Sequence, residues 1–254
     1  MRVRPSLLLV ATALGAFFVA QTALGSPPPV SPPAGGAPAT ADFQRAAFVT
    51  PPKPAGPKPF RLAVLRGELA ASDRPGGPAT ARIAATTEFG SRQVLGVAAR
   101  RGEWLGVVSS TRPNGKLAWV RRAEVVLART HWSLHADLSA RTLTLRRGER
   151  TVRRLEVAVG RPGSDTPTGR FAVTDKIAGA KYGPYYGCCV LALNGHQPNT
   201  PPGWTGGNRL AIHGTDSPST IGTAASAGCL RAADSDLQVL MRRVPLGTPV
   251  YIRG

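Results

Sequence analysis

Two residues in this chain have the types and the setting to make and break acyl bonds. In Leu210-Ala211-Ile212-His213-Gly214-Thr215 an apolar, strand-like run delivers His213 at its end, and glycine follows at once. After fifteen intervening residues, Ser226-Ala227-Gly228-Cys229-Leu230-Arg231 sets Cys229 behind Gly228 in a loop of small residues. The thiolate is the nucleophilic form of cysteine, and a base within hydrogen-bond reach generates it. Small neighbours leave room for a substrate and for backbone N–H groups to face a developing oxyanion. Arg231 adds positive field near the thiol and suits a carboxylate.

Other residues of chemical interest lie upstream. Cys188 and Cys189 sit in Tyr185-Tyr186-Gly187-Cys188-Cys189-Val190, a loop running into a strand. Adjacent strand residues face opposite sides, so the pair is a poor chelate, and a bridge between neighbours is expected to be unfavourable. One buried thiol and one near the cleft is the expectation. A zinc site from the three cysteines and a histidine lacks the usual ligand spacing, so no metal and no cofactor are expected. His196, in Asn194-Gly195-His196-Gln197-Pro198, is a candidate for the substrate cleft together with Tyr185, Tyr186 and Trp204. The competing reading of His196 is an exposed loop histidine. His131 and His135 read as solvent-facing and structural.

Elements must hold these groups in place. From Phe60 to about residue 128, strand-length runs (Arg61–Leu65, Ala81–Ala84, Val94–Val97, Trp104–Val108, Leu117–Val120) alternate with turns, including Pro113-Asn114-Gly115. Five or six short strands suit a small β-barrel. Residues 131–254 form a second, mostly β region. Trp132–Leu138 and Arg141–Leu145 read as a hairpin, and Val152–Val159 and Arg170–Thr174 continue the strand signal. Only Asp234–Arg243 is helical in pattern, with Leu237, Leu240 and Met241 on one face, Asp234 or Ser235 as cap and Pro245 just beyond. Gly247–Ile252 closes as a strand.

The His213 and Cys229 segments together resemble the L,D-transpeptidase catalytic domain family, whose signature is a histidine, a gap of this length, then Ser-His-Gly-Cys, an apolar residue and Arg or Asn. Thr166-Pro167-Thr168-Gly169 resembles the family's strand entry, and Gly247-Thr248-Pro249-Val250 its closing strand. The resemblance implies a mainly β protein: an L,D-transpeptidase-type β-sandwich with one short helix over 131–254. The small β-barrel over 60–128 precedes it and is weakly similar to bacterial Src-homology-3-like domains. It also implies that Cys229 is the nucleophile, that His213 is its base, oriented by the Gly214 carbonyl, and that the Gly228 and Cys229 N–H groups form the oxyanion hole. Ser226 and Arg231 would brace the loop. Asp216 is the alternative partner for His213. Ala227 stands where the fuller signature has a second histidine. The implied substrates are peptidoglycan stem peptides, with carbapenem β-lactams as covalent inhibitors. The alternatives are an L,D-carboxypeptidase and a non-catalytic wall-binding protein.

Composition sets the compartment and the partners. The chain has 254 residues and a formal charge of +18, from 32 Lys plus Arg against 14 Asp plus Glu. The arginines are spread with no run longer than two, and aromatics are only 6% of the chain, so nucleic acid is not the expected partner. An anionic polymer at a cell surface suits the charge. Arg2 and Arg4 precede an apolar stretch from Leu7 to Ala20 and a small-residue site at Ala23-Leu24-Gly25, reading as a signal peptide over 1–25. The expected location is exported, periplasmic or wall-associated, with an uncleaved membrane anchor as the alternative. Residues 26–59 hold eleven of the 24 prolines and read as an extended linker, with one brief sticky segment at Phe43–Val49. A monomer is expected.

Overall fold

The computed structural model describes residues 57–254. The expected signal (1–25), nearly all of the linker (26–59) and the Phe43–Val49 segment lie outside the described residues. Among the described residues no helix is long and apolar enough to cross a membrane.

The N-terminal region is one seven-stranded sheet, ordered β3-β2-β6-β5-β4-β1-β7. Its strands are β1 (Phe60–Leu65), β2 (Leu69–Ser72), β3 (Ala79–Ile83), β4 (Val94–Arg101), β5 (Trp104–Val107), β6 (Ala118–Arg121) and β7 (Val125–Thr130). Leu65, Ile83, Leu95, Leu105 and Val120 fill a core of their own. β2 and β7 lie outside the runs read from sequence. Leu-Ala-Ala-Ser is poor in β-branched residues, and β7 is held by its full-length antiparallel register with β1.

The C-terminal region is mainly β with one helix, built on a curled sheet. The strands are β8 (Trp132–Asp137), β9 (Thr142–Arg147), β10 (Arg150–Glu156), β11 (Val159–Gly160), β12 (Gly169–Ala178), β13 (Cys189–His196), β14 (Arg209–His213), β15 (Ala224–Ser226), β16 (Leu230–Arg231) and β17 (Pro249–Arg253). Eight of them run β10-β9-β8-β17-β12-β13-β14-β16, and β11 pairs with β15. The sheet is mixed: β17 lies parallel to β8, and β16 parallel to β14. Phe171, Leu134, Leu145, Leu191, Leu210 and Ile212 are fully buried in its core. Each such side chain contributes about 1.5–3 kcal/mol of burial.

The helix α1 (Asp234–Arg243) packs Leu237 and Leu240 into that core, with Met241 at its edge. Its cap differs from the expected one. Ala233 occupies the cap position with no side-chain hydrogen bond. Asp234 instead accepts the Cys188 N–H at 3.0 Å, so this carboxylate ties the helix start to the loop before β13.

β13 is buried along nearly its whole length. Leu191 and Leu193 face the C-terminal core, while Val190 and Ala192 line a small pocket that Phe89 of the N-terminal region also lines. Burial on both faces explains why this strand reads as a continuous apolar run. Polar contacts lock the two regions together. Arg170 donates to the Val97 carbonyl at 2.9 Å, Thr87 to the Asp175 carboxylate, and Glu88 pairs with Arg209 at 3.1 Å.

Candidate active site

His213 is the last residue of β14, a strand whose apolar residues bury it inside the sheet. Its Nδ1 lies 2.6 Å from the Gly214 carbonyl oxygen. A carbonyl only accepts, so Nδ1 carries the proton and Nε2 presents the lone pair of a base. Asp216 bonds to its neighbour Ser217 instead, at 2.9 Å. Glycine is required at 214 because an added Cβ would stand 2.1 Å from the Asp234 carboxylate and 3.1 Å from the Cys188 nitrogen. The Gly214 N–H donates to the Cys189 carbonyl at 3.0 Å, which fixes the peptide that orients the imidazole.

Cys229 shares one cleft of about 400 Å³ with His213. Tyr185, Tyr186 and Trp204 line the same cleft, and both tyrosine rings lie within 6 Å of the imidazole, at 5.8 and 4.9 Å. The loop before Cys229 is a closed hydrogen-bond circuit. The Ser226 hydroxyl donates to the Cys229 carbonyl at 2.6 Å and accepts the Gly228 N–H at 3.0 Å. The Gly228 N–H, expected to face an oxyanion, is therefore engaged within the loop in this geometry.

The electrostatics describe a neutral resting pair. Burial pushes the Cys229 thiol up to about 11, opposed by a hydrogen bond from the Ala211 backbone and by the Arg231 charge. Burial lowers His213 to about 4, with the Gly214 hydrogen bond opposing and Arg231 reinforcing. At neutral pH the proton therefore stays on sulfur and the imidazole is neutral.

Four residues differ from their expected places. His196 is outside the cleft: its Nε2 meets the Ser110 carbonyl at 3.0 Å, and its backbone is held at both ends by the Asn114 side chain, at 2.6 and 3.0 Å. It belongs to the junction between the two regions. Arg231 stacks over Tyr185 at 4.6 Å and donates to its hydroxyl, facing an adjoining depression with Arg161 and Trp204. Cys188 and Cys189 are disulfide-bonded to each other, contrary to the expectation of two separate thiols, and Cys229 is the free cysteine among the described residues. The turn between Gly187 and β13 brings the neighbouring sulfurs together where a regular strand would separate them. No group of metal-ligating residues is present among the described residues.

Two residues that sequence reasoning passed over belong here. Gln197 donates to the carbonyls of Asp165 (2.9 Å) and Ala227 (3.2 Å) and lies against Gly228, whose φ of +119° and lack of a Cβ make that approach feasible. It is the chain neighbour of His196, and alternation along the chain puts one in the cleft and the other at the junction. Arg209 lines the cleft, and its carbonyl accepts the Cys229 thiol at 3.8 Å. Only its position four residues before His213 could have marked it.

One aromatic-walled cleft on a curled β-sheet thus gathers a cysteine and a carbonyl-pinned histidine, the group types that thiol acyl transfer uses. Residues 132–252 match the family model of the YkuD-type L,D-transpeptidase catalytic domain. Among sequence relatives, YkuD of Bacillus subtilis strain 168 is 32% identical over 123 residues, covering 48% of this chain and 65% of its own. YbiS of Escherichia coli strain K12 is 32% identical over 120 residues, covering 41% and 38%. The chain thus spans less than two thirds of these relatives. Among solved structures, an L,D-transpeptidase from Mycobacterium smegmatis aligns with a TM-score of 0.38 at 19% identity, covering 56% of this chain and 76% of that one. L,D-transpeptidase 3 from Mycobacterium tuberculosis, in complex with a faropenem-derived adduct, aligns at 0.40 and 15%, covering 56% and 69%.

Proposed function

We propose that the protein is an exported L,D-transpeptidase that cross-links peptidoglycan stem peptides through a Cys229 acyl-enzyme. The observation that carries this reading is the His213 tautomer: the Gly214 carbonyl fixes the proton on Nδ1, leaving Nε2 as base in the cleft that holds Cys229. His213 Nε2 takes the thiol proton as sulfur attacks the carbonyl carbon of the third stem residue. The C–N bond to the terminal D-alanine breaks, and His213 returns its proton to the departing amine. A side-chain amine of a second stem then attacks the thioester and gives up a proton to Nε2. The new C–N bond forms as the C–S bond breaks, and sulfur recovers the proton. The Cys229 N–H would receive the oxyanion, joined by Gly228 when Ser226 releases its N–H. The strained carbonyl of a carbapenem is open to the same thiol attack.

Mass spectrometry of tetrapeptide muropeptides incubated with the protein and with Cys229→Ala tests the reading. Cross-linked dimers lacking one D-alanine, absent with the variant, support it. Tripeptide alone makes the protein an L,D-carboxypeptidase, and untouched substrate with both proteins overturns the enzymatic reading.

A further inference from the structure

The outer face of the hairpin sheet gathers charge that the sequence disperses. Register places Arg154 opposite Thr144, Thr144 opposite His135, His135 opposite Tyr251, and Tyr251 opposite Arg170. These residues form one row across β10, β9, β8, β17 and β12. Leu143, Leu145, Leu134 and Val250 take the alternate positions and fill the core, so the row lies on the opposite face. Strands are spaced by about 4.8 Å, which makes the row ~19 Å long. Arg146 and Arg253 flank it, two positions along β9 and β17.

Arg154, Thr144, His135 and Tyr251 of the row line a concavity of about 1190 Å³, against about 400 Å³ for the Cys229 cleft, while Arg170 reaches the Val97 carbonyl instead. Arg146, Arg154 and Arg253 line it. Asp137 is the one carboxylate among its described lining residues, and it is already taken. Arg253 reaches it at 2.6 Å, the Ser139 hydroxyl at 2.8 Å and the Ala140 N–H at 3.0 Å. Glu156, the next outward position on β10, lies against Gly222 instead. Arg146 Nε is buried without a partner. Among the described residues Arg146 and Arg154 therefore form no ion pair, and Arg253 shares the Asp137 carboxylate with Ser139 and Ala140.

We propose that this face docks a linear polymer of phosphodiester-linked polyol or sugar units, laid across the strands with its phosphates on Arg154, Arg146 and Arg253. Guanidinium forks suit phosphate oxygens, and a tetrahedral phosphodiester offers oxygens to guanidinium groups on adjacent strands. Bases find no platform here: Tyr251 is stacked on His135 at 5.0 Å and carries the Arg170 guanidinium at 5.6 Å, so neither ring face is free. Fluorescence anisotropy of a labelled poly(glycerol phosphate) chain with the full protein, across a series of NaCl concentrations, tests this. Three phosphate contacts predict a slope of log K on log salt of about −2. Arg146→Gln/Arg154→Gln/Arg253→Gln should weaken binding at low salt by about tenfold or more and bring the slope close to zero. Exposed Arg154→Glu should weaken it severalfold, and this variant guards against misfolding of the triple. A control triple elsewhere on the surface, Arg66→Gln/Arg122→Gln/Arg242→Gln, should bind like the parent. Equal loss in the control, or competition by polyglutamate or single-stranded DNA as strong as by the unlabelled polymer, overturns the proposal.

Discussion

The Cys229 cleft and the outer face of the hairpin sheet are both concave, yet opposite conditions prevail in them. The cleft is small and walled by aromatic rings, and its two reactive groups rest uncharged because burial suppresses both ionised forms. The outer face is broad, and Arg146, Arg154 and Arg253 line it. Even His135, half-buried there, is lowered first by burial and then by Arg146 and Arg253. The difference separates two tasks. Thiol chemistry needs a dry site in which charge appears only with the reaction, whereas holding an anionic chain needs standing charge that solvent can reach.

Loss of the Cys229 thiol should break the comparison most completely. Cys229→Ala is expected to abolish acyl-enzyme formation, read by intact-protein mass spectrometry after incubation with a carbapenem, while leaving polymer binding unchanged. His213→Gln should come next, slowing acylation about 10²–10⁴-fold. In the parent protein the acid limb of the rate should fall near pH 4, where His213 protonates, well below the ordinary histidine value of 6.5.

The same histidine makes stability depend on pH. Between about 4 and 6.5 the unfolded chain binds a proton that the folded chain refuses, so stability is full above 6.5 and declines as pH falls through that window. The loss should approach about 3 kcal/mol, measured by urea unfolding at several pH values. His213→Gln should flatten the dependence, and a curve unchanged by that variant would refute the assignment. Ser226→Ala comes lower in the series. It removes both partners of the loop circuit and should cost about 1–3 kcal/mol with roughly tenfold slower acylation. Asn114→Ala should have the smallest effect, about 1 kcal/mol in urea unfolding, because it opens the junction at His196 without touching either concavity.

Local signals made much of this molecule legible. The alternation of Trp132–Asp137 against Thr142–Arg147 specified the hairpin, and the spacing of Leu237, Leu240 and Met241 with Pro245 beyond bounded the helix at Asp234–Arg243. The hidden elements depend on partners distant in the chain. β7 is defined by β1, some 65 residues earlier, and Gln197 reaches the nucleophile loop only because β13 and β14 pair. The bond between Cys188 and Cys189 requires the chain to turn before β13, and nothing in the residue types announces that turn.

What the sequence determined by itself is the chemistry on offer: a cysteine behind glycine, a histidine at a strand end, and a large excess of arginine. The tertiary structure decided which nitrogen of His213 carries the proton and which residues wall the cleft. It also placed His196 in a junction, and it brought Arg146, Arg154, Arg170 and Arg253 onto one face. The reason is physical. Residue type and short-range period fix what a segment can do and which side it buries. Long-range strand register, settled only when the whole sheet pairs, fixes what each side chain meets across it.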